Sequence, residues 1–264
     1  MTPRLRTFLV TFGLVLVVSL FTGAAAEAAT TAARTSGKPA SPNGASSMHL
    51  WWQSTAPTQR VAVDLEVLDA GATSDLRYWA LQIAFVDRAG KTVGGAHLGL
   101  QRHRHAPLGA VNWGGYRADG RGTIDSTSKL RSVTGSPNTF QYPWQVKEQH
   151  ELVIEGRGDG WWTASIVKVA TGARTEIGRL RGGGTALARP VVWSEVFAGC
   201  EAPAAARWSG FEPALKHVQA TYQSHADGGC TNSNAVVDAA AGGVVQKTAT
   251  VRTTPHGALL TPLP

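Results

Sequence analysis

The chain has 264 residues, a formal net charge of +7 at pH 7 with histidine neutral, and two cysteines. A single β-sandwich domain commonly reaches this length, so the size does not require a second folded domain. The basic charge would concentrate anionic partners near the surface, such as wall polymers, acidic polysaccharides or nucleic acid, but charge alone selects none of them.

The N-terminal segment, residues 1–28, predicts a secretory signal peptide. Arg4 and Arg6 precede an uncharged apolar run over residues 8–23, and small residues follow it. This order is typical of a signal that is cleaved on export. The apolar run is shorter than the ~20 residues that cross a bilayer, which disfavours a retained anchor. We therefore expect a secreted, extracellular protein without membrane association after cleavage.

Composition divides the remaining chain into three parts. Residues 29–48 lack large apolar side chains and are rich in Ala, Ser, Thr and Pro, which predicts a disordered linker. Residues 49–252 carry short alternating segments separated by turn residues, and they are expected to form one folded domain. Residues 253–264 are expected to form a flexible tail.

The alternating segments predict an all-β fold. In “RVAVDLEVL” the apolar side chains from Val61 to Val67 share one face, and Asp64 and Glu66 share the other. “YWALQIAFV”, a glycine-containing turn and “GGAHLGLQ” predict a hairpin. About ten such segments predict a two-sheet antiparallel sandwich of the jelly-roll type.

Cys200 and Cys230 are the two cysteines of the chain. In an oxidising extracellular compartment an even number of cysteines favours a disulfide over free thiols. We therefore expect a Cys200–Cys230 bond.

The segments “YWALQIAFVDRAGKTVGGAHLGLQ”, “YPWQVKEQHELVIEGRGDGWWTASIVKVATGARTEIGRL”, “WSEVFAGCE” and “GGCTNSN” resemble a family of secreted actinobacterial proteins known chiefly as a domain of unknown function. The similarity spans residues 55 to 252. It implies a concanavalin A-like jelly roll and a secreted protein, and it implies no agreed activity. The stretch “RHRHAPLGAVNW” departs from the family pattern, where a short neutral turn is more common.

Amides and aromatic rings that share one sheet face predict a sugar-binding surface. Gln82 and Gln101 alternate with the apolar side chains of their strands, so both are expected on the face away from the core. “AVNWGGY” is expected to bring further groups to that face, and “GWW” offers a second aromatic platform. The candidate ligand-binding residues are Gln82, Gln101, Asn112, Trp113, Tyr116 and Trp161.

His103 and His105 stand two residues apart, as two ligands of a metal ion would on one strand face. Arg102 and Arg104 would repel a cation, and no Asp, Glu or Cys lies close in sequence. An exposed basic turn is therefore favoured over a metal site. We expect no metal, no cofactor and no nucleic-acid partner.

Catalytic patterns assign no residue. The Glu-x-Asp-x-x-Glu motif of jelly-roll glucanases is absent, and “WSEVFAGCE” offers only Glu195 and Glu201. A lyase-type set of Tyr78, His97 and a glutamine is compatible with the sequence but not required by it. The sequence thus favours a non-catalytic carbohydrate- or cell-wall-binding protein whose partner is an extracellular polysaccharide. The alternatives are an extracellular polysaccharide lyase or glycoside hydrolase, and a structural surface protein.

Overall fold

The computed structural model describes residues 36–39, 41–52, 56–120, 122–223 and 232–262. All of them belong to the compact unit Ala32–Pro264. The predicted signal peptide lies outside these residues and stays a prediction. Every regular element in the described ranges is a β-strand. A helix long and apolar enough to cross a bilayer is not found among these residues.

Sixteen strands lie in the described part of the chain. They are β1 (Ser46–Trp52), β2 (Arg60–Asp69), β3 (Arg77–Val86), β4 (Thr92–His103), β5 (Ala106–Arg117), β6 (Thr123–Ile124), β7 (Thr139–Gln141), β8 (Gln149–Gly156), β9 (Trp161–Lys168), β10 (Ala173–Arg181), β11 (Ala186–Val196), β12 (Ala205–Glu212), β13 (Val218–Tyr222), β14 (Asn234–Val237), β15 (Val244–Lys247) and β16 (Leu259–Leu260).

The strands form two antiparallel sheets. The nine-stranded sheet has the order β16-β13-β1-β11-β3-β4-β5-β6, and β7 also pairs with β5. The seven-stranded sheet has the order β10-β9-β8-β2-β12-β15-β14. Because neighbours such as β1 and β11 are far apart in sequence, the centre of the nine-stranded sheet is built from both ends of the chain.

Alternating apolar side chains from both sheets form one core, as the sequence pattern predicts. Val61, Val63 and Leu65 of the seven-stranded sheet belong to the same buried cluster as Trp79 and Leu81 of the nine-stranded sheet. Each strand therefore presents one set of side chains to the core and the other set outward. The predicted all-β, two-sheet sandwich is confirmed.

A buried polar bridge joins the two sheets through the core. The Ser194 hydroxyl on β11 donates to Gln246 Oε1 on β15 at 2.6 Å. The Trp208 indole on β12 donates to the same oxygen at 2.9 Å. Because two donors converge on one buried acceptor, the bridge fixes β11 relative to the opposite sheet.

The predicted domain boundaries are too narrow at both ends. The first strand starts at Ser46, inside the predicted linker, because Ser46 and Ser47 are buried between neighbouring strands. At the other end, Leu260 pairs with Val218, so the predicted tail adds an edge strand to the nine-stranded sheet. The start of β1 was not predicted because its first residues are polar. β16 was not predicted because it has only two residues.

Candidate functional site

The outward side of the nine-stranded sheet is called the polar face here. It consists of the side chains that alternate with the core residues of the five central strands. Their contributions are Ser47, His49 and Trp51 from β1, Val191, Trp193 and Glu195 from β11, Tyr78, Ala80 and Gln82 from β3, His97, Gly99 and Gln101 from β4, and Asn112 and Tyr116 from β5.

Strand register places four polar residues in one line across this face. Glu195 pairs with Ser47 on one side and with Tyr78 on the other. Tyr78 in turn pairs with Gln101. This line of Ser47, Glu195, Tyr78 and Gln101 is the Glu195 row. Glu195 and Gln101 stand two strands apart, so their backbones are separated by roughly 10 Å.

Glu195 is a mostly buried carboxylic acid. Its Oε1 accepts a hydrogen bond from the Ser47 hydroxyl at 3.2 Å and another from the Asn43 amide. Burial raises the pKa of Glu195, and these two hydrogen bonds oppose part of the rise. Among the strands of the nine-stranded sheet, Glu195 is the one carboxylate. A mostly buried carboxyl group with a raised pKa on a polar sheet face is suited to give and take protons.

The backbone of Tyr78 belongs to the Glu195 row, but its side chain bends along the sheet and away from that line. Its hydroxyl donates to Asn112 Oδ1 at 3.0 Å, which requires the phenol to cross β4. The crossing point is Gly99, which pairs with both Ala80 and Asn112 and has no side chain in the way. The edge of the Tyr78 ring also packs against Trp193, with ring centroids 4.6 Å apart. The Tyr78 hydroxyl is therefore held at Asn112 and is not hydrogen-bonded to Glu195 or to Gln101.

His97 lies beside this aromatic pair. Its ring centroid is 5.8 Å from that of Tyr78 and 6.0 Å from that of Trp193. Burial lowers the pKa of His97 to about 4, and a hydrogen bond with Asn112 opposes part of the shift. Asn112 is held in turn by a hydrogen bond from its amide to the Thr139 hydroxyl at 2.9 Å. His97 is thus neutral above a pH of about 4. Its ring and those of Tyr78 and Trp193 pack together and form one side of the site.

The backbone of Gln101 is held in place by the strand ladder and by a tryptophan. Gln101 pairs with Tyr78 and with Ala110, and its carbonyl accepts the Trp144 indole hydrogen bond at 3.2 Å. The Trp144 ring lies under the Arg102 guanidinium, 4.3 Å from its centroid. The Gln101 amide is therefore presented from a rigid backbone.

Two grooves lie at the ends of the Glu195 row. The Gln101 groove has a volume of about 360 Å³ and is lined by Leu76, Gln101, His103, Arg104, His105 and Thr139 among others. The Trp51 groove has a volume of about 350 Å³ and includes Pro42, His49, Trp51 and Thr221. The Trp51 ring stacks on His49 with centroids 5.9 Å apart, and its indole donates to Thr221.

Four of the six candidate ligand-binding residues lie on the polar face: Gln82, Gln101, Asn112 and Tyr116. A hydrogen bond joins Tyr116 to Gln82 and opposes the rise that burial causes in the pKa of Tyr116. Trp113 does not supply the expected aromatic platform, because it is 0% exposed and packs in the core. Asn112 faces outward, so its neighbour in the strand must face inward.

Trp161 lies on the other sheet, away from the polar face. It is 37% exposed and lies in a groove of about 750 Å³ on the outer side of the seven-stranded sheet. The Arg179 guanidinium stands 5.6 Å from its ring centroid. In the same groove Arg60 pairs with Glu155. This groove and the polar face are separate surfaces.

His103 is the last residue of β4, and His105 lies in the short turn between β4 and β5. Their ring centroids are 6.0 Å apart, and the His105 backbone N–H donates to His103 Nδ1 at 3.2 Å. Among the described residues, no group of three or more His, Cys, Asp or Glu side chains is placed to hold a metal ion.

The sequence reasoning did not select Glu195, which the structure places at the centre of the polar face. The available signal was a carboxylate that alternates with Val191 and Trp193 in an otherwise apolar strand. A charge in such a strand is costly unless it has partners or a function. Its partners Ser47 and Asn43 are remote in sequence, so the signal was incomplete.

Cys200 is fully buried, and no free cysteine occurs among the described residues. Cys230 lies outside the described residues. The Cys200–Cys230 bond therefore stays a prediction.

No family model and no curated protein matches the chain. Among solved structures, a complex of scytalido-glutamic peptidase with a peptide-based transition-state analogue matches at 9% identity and a TM-score of 0.40, covering 78% of this chain and 98% of that one. SCP-B, a member of the eqolisin family of peptidases bound to the tripeptide Ala-Ile-His, matches at 7% identity and a TM-score of 0.42 with the same coverage. These values assign no activity to the chain.

The prediction of a non-catalytic carbohydrate- or cell-wall-binding protein is wrong. The aromatic ring that was to stack on the sugar, Trp113, is in the core. The solved structures named above are peptidases. The resemblance to the actinobacterial family stays a prediction, since no family model tests it.

Proposed function

We infer that the protein is a hydrolase that cleaves peptide bonds on the polar face, with Glu195 as the general base and acid. The observation that supports this most is the position of Glu195: a mostly buried carboxyl with a raised pKa, in one row with the Gln101 amide. The interval of roughly 10 Å between their backbones accommodates a water molecule and a peptide group once both side chains extend toward each other.

The reaction follows from these two groups. The Glu195 carboxylate takes a proton from a water molecule, whose oxygen attacks the peptide carbonyl carbon. The carbonyl π electrons move to oxygen, and the Gln101 amide N–H groups stabilise the resulting oxyanion. Re-formation of the carbonyl breaks the C–N bond, and Glu195 returns its proton to the leaving nitrogen. The products are a carboxylic acid and an amine, and Glu195 is again ionised.

The raised pKa of Glu195 suits both halves of this cycle. A more basic carboxylate takes a proton from water more readily than an exposed glutamate does, and its acid form still donates to a nitrogen. The hydrogen bonds from Ser47 and Asn43 hold Oε1, so that Oε2 is the oxygen available to the water. We therefore expect activity to rise as the pH rises through the pKa of Glu195.

Glycoside hydrolysis fits the site less well. It requires two carboxyl groups about 5 to 9.5 Å apart, and Glu195 is the one carboxylate in the strands of the nine-stranded sheet. A lyase that uses Tyr78 as a base also fits poorly, because burial and the Glu195 charge raise the pKa of Tyr78 well above its ordinary value. Acyl hydrolysis needs only one carboxyl group and an oxyanion donor.

The proposal is tested by measuring the cleavage of two kinds of substrate, a denatured substrate protein and a library of internally quenched peptides, between pH 3 and pH 6. Glu195→Gln should lower kcat by about 10³-fold or more, because it removes the proton acceptor while keeping the shape. Gln101→Leu should lower kcat by about 10²- to 10³-fold through loss of the oxyanion donor. Glu176→Gln, the same substitution on an exposed strand of the other sheet, is the matched control and should retain full activity. Full activity in folded Glu195→Gln would refute the proposal.

We further propose that this activity is extracellular. The signal-like N terminus and the expected disulfide both support export. Fractionation of the expressing cell, with antibody detection in the medium, tests this placement.

A further inference from the structure

The Gln101 groove carries an unbalanced positive charge. His103, Arg104 and His105 line it, and none of the residues lining it is acidic. The Arg104 Nε donates to His105 Nε2 at 2.9 Å, which holds the guanidinium beside the groove. The three basic side chains come from one tight turn, so their mutual distances are fixed by the β4–β5 hairpin.

Each histidine ring accepts a hydrogen bond on one nitrogen, so the Arg104 guanidinium supplies the fixed charge of this turn. Burial and then the charges of His105 and Arg104 lower the pKa of His103. The neighbouring Asp75 does not line the groove, and its carboxylate accepts the Ser74 hydroxyl at 2.6 Å. A negative group bound in the groove would make a charge-assisted hydrogen bond with Arg104 and could accept the remaining ring N–H of each histidine.

We propose that this turn is a specificity element of the site: the Gln101 groove binds a carboxylate of the peptide substrate through Arg104 and its two flanking histidines. The inference rests on the proposed function of the same site. Two sources share this chemistry, an acidic side chain and the C-terminal carboxylate of a short peptide.

The groove also fixes where the carboxylate stands in the substrate. Gln101 contributes both to the groove and to the oxyanion position, and the basic residues begin two positions farther along β4. Two residues of a strand span about 7 Å, which is also the length of two residues of an extended peptide. The carboxylate therefore belongs to the first or second residue beyond the scissile bond on the Gln101 side.

Matched peptides test the proposal at pH 5.5 and low ionic strength. One pair carries Glu or Gln at the first position beyond the scissile bond, a second pair at the second position, and a third pair differs only in a free or amidated C terminus. We expect the acidic member of at least one pair to be cleaved with about tenfold higher kcat/KM, and this advantage to shrink in high salt. The first two pairs report a side-chain carboxylate, and the third reports the C terminus.

Two charge-reversal variants, one at Arg104 and one at Arg88, test which arginine recognises the carboxylate. Arg104→Glu should abolish the advantage of the acidic peptide over its neutral partner. Arg88→Glu makes the same change in the exposed β3–β4 turn at the opposite end of β4, and it should keep the advantage. Equal kcat/KM for both members of all three pairs with wild-type protein, or an unchanged advantage in Arg104→Glu, would overturn the proposal.

Binding measurements distinguish a failure of this proposal from a failure of the proposed hydrolase function. The same peptides are titrated calorimetrically against Glu195→Gln, in which chemistry is removed. Tighter binding of the acidic members, lost in Glu195→Gln combined with Arg104→Glu, would support the groove even if wild-type protein cleaved nothing. Cleavage without any acidic preference in rate or binding would leave the hydrolase standing and refute the groove.

Discussion

Ser47 and Glu195 form a hydrogen bond between adjacent strands, with the hydroxyl 3.2 Å from the carboxylate Oε1. The two residues are directly paired in the β1–β11 ladder. The bond offsets part of the cost of burying the carboxylate, so Ser47 sets how basic Glu195 is. A residue that changes the pKa of a proton acceptor should also change the pH dependence of the proposed reaction.

Ser47→Ala should therefore raise the pKa of Glu195 further. A hydroxyl stabilises the charged carboxylate, and its removal favours the protonated form. The acidic limb of the kcat/KM profile, where Glu195 ionises, should move to higher pH by about half a unit to one unit. Peptide cleavage rates across pH 3 to 7 measure the shift.

Thr163→Ala, on the outward side of the seven-stranded sheet, is the control for the Ser47 variant and should leave the limb in place. A shift toward lower pH in Ser47→Ala would contradict the role given to the hydroxyl.

Buried titratable groups should give the folded protein opposing responses to acid. Burial lowers the pKa of His97 to about 4, so between pH 6.5 and 4 the unfolded chain binds the proton that the folded protein excludes. Stability therefore falls as pH decreases through this window on account of His97. In His97→Gln the unfolding free energy should depend less steeply on pH, by at most about 1.4 kcal/mol per pH unit.

Asp64 should show the opposite sign. Burial and the Glu151 charge raise the pKa of Asp64 to about 6, so the folded protein binds the extra proton between about pH 4 and pH 6. Its contribution to stability falls as pH rises, and Asp64→Asn should make the net increase of stability with pH steeper. Denaturant unfolding at several pH values measures both variants. Equal changes of slope in the two variants would contradict the assignment.

The two tryptophans once expected to contact a ligand should behave differently on substitution. Trp113→Ala removes a fully buried ring from between the sheets and should cost about 3 to 5 kcal/mol of stability. Trp161→Ala removes a partly exposed ring and should cost about 1 kcal/mol or less. Thermal unfolding compares the two, and similar losses would argue against the core position of Trp113.

Cys200→Ser should lower stability by about 3 kcal/mol if Cys200 and Cys230 are joined, through the larger entropy of the unfolded chain. In a domain of this size that corresponds to a Tm decrease of about 6 to 12 °C. Mass spectrometry of the secreted protein under non-reducing conditions measures the bond directly. Two alkylatable thiols in that sample would exclude it.

The sandwich could be predicted from the sequence because its signal is local. The alternation from Val61 to Val67 reports a strand with one buried face, whatever its neighbours are. The strand ends could not be predicted equally well. Leu259–Leu260 is a strand only because Val218 and Gln219 are beside it. A two-residue segment has no alternation pattern from which this pairing could be predicted.

The candidate site could be predicted only in part. Alternation correctly placed Gln82, Gln101 and Asn112 on one face, whereas Trp113 was placed wrongly because a shift of one residue reverses the face. The importance of Glu195 depends on Ser47, which is 148 positions away in the sequence. No local pattern brings these two residues together.

The polar bridge from Ser194 to Gln246 has a consequence for how the protein can move. Ser194 and Glu195 are neighbours in β11, one facing the core and the other facing the site. Any opening of this strand that displaces the carboxylate must also break a buried hydrogen bond to the opposite sheet. Amide hydrogen exchange in β11 should therefore require global rather than local unfolding. The surface around Glu195 is preformed, and a peptide has to adopt the extended shape that the surface offers.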